Sequence, residues 1–188
     1  MDLNENIIII NECKNVSITG TSTRYQMKKL LETKKKNVKR KEYALLKKKI
    51  CSFDEQINII YNITNNIGND ITEQSINEIK HKLSSYKQQD ILKEVYNKEL
   101  FIDFKSIIQK LNDCKLKCYY CSLPIFILYE FVREGKQWTL DRIDNNHGHN
   151  EDNVVISCLE CNLKRRKTNK DSFMFTKNMN IIRSEYKI

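Results

Sequence analysis

Two pairs of cysteines have a residue type and a spacing that could support chemistry. They are Cys118 with Cys121 and Cys158 with Cys161, each a Cys-x-x-Cys pair. Each pair can offer two thiolates from a tight turn, and two pairs complete the shell of four sulfurs that a structural zinc prefers. A redox site of the thioredoxin type needs only one pair. We therefore expect these four cysteines to bind one structural Zn²⁺.

The remaining cysteines, Cys13, Cys51 and Cys114, stand apart from these pairs. The odd total of 7 cysteines argues against a disulfide framework. The chain opens on acidic residues, without the basic and then apolar segment of a secretory signal. We therefore expect a reducing intracellular compartment, either cytoplasm or nucleus. The three separate cysteines are interpreted as small buried residues, with Cys114 as an alternative metal ligand.

The segment between and after the pairs must position these ligands. Residues 139–143 have the composition of a strand, 145–152 form a polar loop containing Gly148, and 153–157 form a second strand. A helix can start at Cys161. The predicted order is therefore strand, loop, strand, helix.

This order resembles the ββα-metal motif of HNH endonucleases, in the form in which two Cys-x-x-Cys pairs bracket the motif. The resemblance covers about residues 118–170, and it rests on the sequence LDRID, on Asn153 with Val154 and on Cys161 with Asn162. It implies a metal-dependent endonuclease that hydrolyses phosphodiester bonds in DNA. The alternative is a zinc-stapled nucleic-acid-binding protein with a degenerate nuclease centre.

The resemblance also implies catalytic residues. Asp141 and Asn162 match the positions that hold one divalent cation against the scissile phosphate, and their oxygen ligands suit Mg²⁺ or Mn²⁺. Asn153 matches the residue that fixes the loop and so orients the general base. The alternative is that Asp141 caps the hairpin, Asn162 caps the helix and Asn153 is an ordinary turn residue.

The general base is where this sequence departs from the family. Arg142 stands where the family has a histidine, and arginine has no acceptor for a proton, although it could clamp a phosphate. Asp144 projects on the same strand face, and we predict that it is the base. His147 and His149 in the loop are alternatives, as is activation of water by the cation alone. Arg142 and Asp144 could instead form a polar pair that only fixes the hairpin.

Positive charge predicts a nucleic-acid partner. Lys+Arg number 33 against 24 Asp+Glu, a net charge of +9, and the excess is densest in a basic arm at about residues 24–49. A second basic run follows the last cysteine pair. The predicted DNA contacts are Lys34, Lys35, Lys36, Lys39, Arg40, Lys41, Lys164, Arg165, Arg166 and Lys167. The alternative for each run is a solvated helix face.

The other segments predict secondary structure without chemistry. Apolar runs at 7–10 and 16–19 indicate two strands, and residues 25–50 fit one or two basic helices. A helix start is predicted near Asn69, and apolar residues spaced by three and four predict packed helices toward residue 115.

The sequence as a whole predicts an α+β fold. Residues 1–115 are expected to be mostly helical and to carry the basic arm, and residues 116–188 are expected to form the zinc-stabilised HNH domain. The longest apolar runs are too short to span a membrane, and the basic arm lacks the large apolar face of an interfacial helix. DNA is therefore the predicted partner and a membrane is not.

Overall fold

The computed structural model of this protein describes residues 38–40 and 52–179. The strands predicted at 7–10 and 16–19, and most of the basic arm, lie outside the described residues. All described residues belong to one compact unit, Asn37–Ile188. Within this part of the chain, no helix is both long and apolar enough to cross a membrane.

Three helices precede the cysteine pairs. They are α1 (Phe53–Thr64), α2 (Asp70–Leu92) and α3 (Phe104–Asp113). Each begins at a polar cap, since the side chains of Ser52, Asn69 and Asp103 accept hydrogen bonds from backbone N–H groups in the first turn. Such caps satisfy donors that the helix itself leaves unpaired. The helix start predicted near Asn69 is confirmed.

An antiparallel hairpin and two shorter helices follow. They are β1 (Trp138–Arg142), β2 (Val154–Cys158), α4 (Leu159–Arg165) and α5 (Lys170–Asn178). The strands pair with Leu140 opposite Ile156. The predicted order of strand, loop, strand and helix is confirmed, with bounds that differ by one or two residues. The fold is mixed α and β, as expected.

One apolar core joins the helices to the hairpin. Ile79 of α2, Leu111 of α3, Trp138 and Leu140 of β1 and Ile156 of β2 all belong to it. Burial of such side chains is the main favourable contribution to folding. The boundary predicted at residue 115 stays a prediction for the whole chain, but among the described residues the core extends across it.

Polar contacts also attach α2 to the hairpin. Lys82 donates hydrogen bonds to the backbone oxygen of Trp138 at 2.5 Å and to Gln137 Oε1 at 2.9 Å. Tyr86 accepts one from the backbone N–H of Leu140 at 3.1 Å. The second half of α2 is therefore fixed against β1, which carries two of the predicted catalytic residues, Asp141 and Arg142.

The prediction of a basic helix is wrong at residues 38–40. This segment is extended, and Lys39 forms an antiparallel bridge with Phe131. Tertiary contacts override the helical pattern here, because the Arg40 guanidinium pairs with Glu78 at 2.6 Å and lies over the Tyr129 ring. The rest of the segment predicted to be helical lies outside the described residues.

Candidate functional site

The four predicted zinc ligands come together in the structure. Cys118 and Cys121 lie on the turn after α3, Cys158 ends β2, and Cys161 lies in the first turn of α4. Their sulfurs all lie within 4.8 Å of one another, and those of Cys121 and Cys158 are 4.0 Å apart. A tetrahedral zinc with bonds of about 2.3 Å would place its sulfurs about 3.8 Å apart. The cluster therefore has the donors and the size to hold a metal ion such as zinc.

Hydrogen bonds to the sulfurs and burial give thiols of the cluster different pKa values. The N–H of Cys158 donates to the Cys118 sulfur at 3.3 Å, and the N–H of Cys161 donates to the Cys158 sulfur at 3.3 Å. The hydrogen bond between the side chains of Cys118 and Cys158 lowers the pKa of Cys118 to about 5 and raises that of Cys158, and burial raises the pKa of Cys161 to about 12. Thiolates this close repel one another, so a metal cation would neutralise the cluster and release protons on binding.

Cys114, the alternative metal ligand, is not a member of the cluster. Its thiol hydrogen-bonds to the backbone oxygen of Leu111 at 3.4 Å, and burial raises its pKa. This environment is that of a small apolar residue. Cys13 and Cys51 lie outside the described residues.

Asp141 is buried in β1, and its carboxylate accepts three hydrogen bonds. Arg165 of α4 donates from Nε at 2.6 Å and from Nη2 at 2.9 Å. The Tyr120 hydroxyl donates at 2.7 Å, and burial together with the Asp141 carboxylate raises the pKa of Tyr120. Asp141 therefore connects the cysteine turn, the hairpin and α4.

Arg165 requires a correction, because it was predicted to contact DNA. Its side chain is 1% exposed, and a further N–H donates to the backbone oxygen of Thr168 at 2.8 Å. The guanidinium is therefore occupied inside the protein and is not available to a phosphate. The anionic partner of Arg165 is the carboxylate of Asp141, and not a DNA phosphate as the sequence predicted.

Asn162 presents an amide oxygen beside the hairpin. Its Nδ2 donates to Thr139 Oγ1 and to the backbone oxygen of Leu140, both at 3.2 Å. Because the two acceptors fix the NH₂ group, Oδ1 is the free end of the amide, and no described residue donates to it. The alternative role as a helix cap is wrong, since Cys158 is the N-cap of α4.

Arg142 is directed into the loop between the strands, residues 143–153, which we call the hairpin loop. Its Nη1 donates to the backbone oxygens of Asn145 at 3.3 Å and His147 at 3.1 Å. Arg142 therefore helps to shape the loop. The polar pair suggested between Arg142 and Asp144 is not formed among the described residues.

Asp144 also has a local role. One carboxylate oxygen accepts the backbone N–H of Asn146 at 2.9 Å, and the other lies 3.7 Å from Nε2 of His147. The side chain is 48% exposed. The structure thus places the predicted general base on the outer side of the hairpin loop.

Asn153 fixes the hairpin loop by three hydrogen bonds. Its Nδ2 donates to the backbone oxygens of Asp144 and Gly148, both at 2.9 Å, and its Oδ1 accepts the N–H of Asp144 at 2.9 Å. These contacts hold the two sides of the loop together. They match the loop-fixing role that the resemblance implied.

His149 is buried against α2 and has an acidic partner that the sequence interpretation missed. Its ring Nδ1 lies 2.7 Å from Oδ1 of Asp90, and its backbone N–H donates to Oδ2 at 2.6 Å. The ring also packs on Tyr86, with 4.6 Å between centroids. Burial lowers the pKa of His149 despite the opposing effect of the Asp90 charge, which favours the neutral imidazole.

A cleft of about 250 Å³ opens between α2, β1 and α4. We call it the hairpin cleft, and its lining includes Asp141, Arg142, His149, Asn162, Lys93 and Arg166. Asp144 and His147 are not among the lining residues. The structure therefore brings together both predicted ligands of the catalytic cation, and it adds His149 instead of the predicted base.

The other predicted DNA contacts have mixed surroundings. Lys164 forms an exposed ion pair with Glu160 at 2.5 Å, and Arg166 and Lys167 are exposed. Lys39 pairs with Glu130. Four more predicted contacts lie outside the described residues, namely Lys34, Lys35, Lys36 and Lys41.

Comparisons with known proteins leave the site to be interpreted from its own geometry. No family model, curated protein or solved structure matches this chain. The resemblance to HNH endonucleases therefore stays a prediction that rests on the motif residues.

Proposed function

We propose that this protein is a metal-dependent endonuclease that hydrolyses phosphodiester bonds in DNA through an HNH-type ββα site. The observation that carries the proposal is the composition of the hairpin cleft, where a carboxylate, an amide oxygen, an imidazole and several cationic groups line one small volume. Phosphoryl transfer needs this set: oxygen ligands for a cation, a proton acceptor and positive charge for the phosphate.

The proposed role of the four-cysteine cluster is structural. It would hold one zinc ion between the cysteine turn, the end of β2 and the start of α4. All four ligands are sulfur, so no coordination position is left for water or substrate, as in closed structural sites. Zinc binding would thereby fix the position of α4, and of Asn162 on it, relative to the hairpin.

Asp141 and Asn162 are the proposed ligands of the catalytic cation. A carboxylate has about four acceptor positions, and that of Asp141 uses three of them within the protein. Asp141 could therefore share its charge between Arg165 and a cation, while Asn162 supplies Oδ1. Both donors are hard oxygens, which suit Mg²⁺ or Mn²⁺. When bound, such a cation stabilises charge on the phosphate and on the leaving oxygen.

Cationic side chains of the hairpin cleft would bind the substrate backbone. Lys93 and Arg166 are exposed at its rim, and Arg142 lies deeper, with one nitrogen committed to the hairpin loop. Hydrogen bonds from such cations to phosphate oxygens are among the stronger ones in proteins. Contacts to phosphate position the substrate without reading its sequence.

One observation favours a second function, a zinc-stapled nucleic-acid-binding protein that does not cleave. The bidentate ion pair with Arg165 neutralises Asp141. If this pair is retained when DNA binds, the carboxylate has less charge to offer a cation. The basic surface would then bind DNA without hydrolysis.

Cleavage of plasmid DNA by the zinc-loaded protein, with Mg²⁺ or Mn²⁺, distinguishes the two functions. We expect the parent to nick or linearise the plasmid, and Asn162→Ala to slow this by about 10- to 100-fold, as changes around a metal site do. The matched control is Asn112→Ala, because Asn112 is an exposed asparagine on α3. Zinc content should be equal in both variants, and circular dichroism at the assay temperature should show both to be folded.

Two results would contradict the nuclease assignment. A parent that binds DNA but cuts nothing with either cation would establish the binding protein instead. Equal cleavage by the parent and Asn162→Ala would show that the hairpin cleft is not the reaction site.

A further inference from the structure

We propose that His149 is the proton acceptor of the hairpin cleft, and that Asp90 of α2 is the residue that positions it. This inference rests on the proposed function and adds the group that takes the proton from the attacking water. Its basis is the geometry of the Asp90–His149 pair.

Asp90 holds the imidazole at two points. The side chain of Asp90 is fully buried, with one oxygen on the ring Nδ1 of His149 and the other on its backbone N–H. The Tyr86 ring packs against the imidazole. Both the position and the rotation of the ring are thus determined by α2, an element outside the ββα unit.

This arrangement selects one tautomer. A carboxylate only accepts hydrogen bonds, so Nδ1 must carry the proton that it shares with Asp90. The lone pair of the neutral ring is therefore on Nε2, which has no hydrogen-bond partner among the described residues. His149 lines the hairpin cleft, so this lone pair is the basic atom at the site.

Burial favours the neutral form of the ring. It is the largest effect that lowers the pKa of His149, and Arg142 of β1 and Lys93 after α2 lower it as well, whereas Asp90 of α2 raises it. Arg166 and Asp141 line the same cleft. A general base must be unprotonated at the working pH, and a pKa lowered from the ordinary value of 6.5 favours that state.

The proposed step is a hydrolysis in which all atoms are accounted for. Water transfers one proton to the Nε2 lone pair of His149, and its oxygen forms a bond to phosphorus. The bond from phosphorus to one ester oxygen breaks, and this oxygen leaves as a hydroxyl group after it takes a proton from solvent. His149 then returns its proton to solvent. The products are one phosphate monoester end and one hydroxyl end.

Single-turnover cleavage by His149→Gln tests the assignment. We expect a rate loss of about 100-fold or more, in the range that general bases contribute, whereas His147→Gln and Asp144→Asn should cleave like the parent. A buried, unpaired Asp90 could unfold His149→Gln. The double variant Asp90→Asn with His149→Gln avoids this, because two amides pair without a buried charge, and it should be equally slow.

The dependence of the rate on pH separates a proton acceptor from a structural residue. The parent rate should rise with pH below about 6.5, as the imidazole loses its proton, and then level off. His149→Gln should lose this acidic limb. Asp90→Asn should move the limb to lower pH, because it removes the negative charge that stabilises the imidazolium. A limb that stays in place in Asp90→Asn would show that the group that titrates is not the imidazole paired with Asp90, and it would overturn the inference.

Nitrogen NMR of the parent protein tests the inference without any substitution. The chain has 3 histidines, and the ring of His149 should show a protonated Nδ1 and a bare Nε2 at pH 7. The opposite tautomer would overturn the inference. So would full cleavage by His149→Gln, with the proposed function left standing. A parent that cuts nothing would overturn both.

Discussion

At the scale of single residues, the surroundings of Asp141 decide how the site can work. The carboxylate contacts Arg165 and Tyr120, and Asp141 also lines the hairpin cleft. A buried ion pair is weak evidence for net stability, but removing one partner leaves an uncompensated charge. Arg165 therefore matters for folding first, and it can affect cleavage only indirectly, through Asp141 and through the backbone of Arg142.

Replacement of Arg165 tests this role. We expect Arg165→Met to lower the free energy of unfolding by about 3–5 kcal/mol, the usual cost of breaking a buried pair. Arg166→Met is the matched control, because the Arg166 side chain is exposed and surface changes cost within about 0.5 kcal/mol. Urea unfolding of both variants gives the comparison. Unchanged stability in Arg165→Met with weaker DNA binding would restore Arg165 as a phosphate contact.

At the scale of elements, the sequence predicts what local spacing determines. The spacing within each Cys-x-x-Cys pair, and two segments of strand composition on either side of a polar loop with Gly148, are local features, so the cysteine cluster and the order of the ββα unit could be predicted. Arg165 was misassigned because the run of four basic residues suggested a surface. Its spacing of four from Cys161 does place both on one helix face, and these two are the buried residues of α4.

The contact between Asp90 and His149 could not be predicted from local sequence patterns. It continues the apolar stripe of α2 through Ile79, Leu83 and Tyr86 at spacings of four, three and four, which is the one local sign that it is buried. Its partner His149 is 59 positions away in the sequence. No local pattern predicts a contact between two segments so far apart, so the pair could be found only in the folded chain.

The hairpin loop approaches α2 closely where Gly148 meets Asp90 and the backbone of Val95. A Cβ at Gly148 would lie 2.6 Å from the backbone oxygen of Val95 and 2.9 Å from Oδ2 of Asp90. Gly148→Ala should therefore move the loop, cost about 1–3 kcal/mol as overpacking does, and reduce cleavage because His149 moves with it. At Gly68 nothing lies within 4 Å, so Gly68→Ala is the control.

Thermal melts and cleavage rates of the two alanine variants check this prediction. Gly68→Ala should match the parent in both measurements. If Gly148→Ala did so as well, the loop would not need its contact with α2, and the positioning role of Asp90 would be excluded with it.

At the scale of the whole molecule, the positive charge and the cysteine cluster have different expected effects, the first on affinity for DNA and the second on folding. Much of the +9 net charge comes from the basic arm, which would add affinity for DNA without sequence choice. The cysteine cluster instead joins segments that are distant in sequence around one core. Because this core also includes α1 and α2, loss of the metal should affect more than the ββα unit.

Removal of zinc tests how much of the described chain folds as one cooperative unit. We expect one zinc ion per purified chain, and its loss in Cys158→Ser but not in Cys114→Ser, since Cys114 is outside the cluster. Structural zinc contributes on the order of 10 kcal/mol to folding, which is comparable to the whole free energy of unfolding of a typical domain. Chelation should therefore unfold α1–α3 together with the hairpin, as circular dichroism would show by a large loss of helix. Helices that survive chelation would instead support the division predicted at residue 115, and a zinc-free protein with its fold intact would refute the metal site.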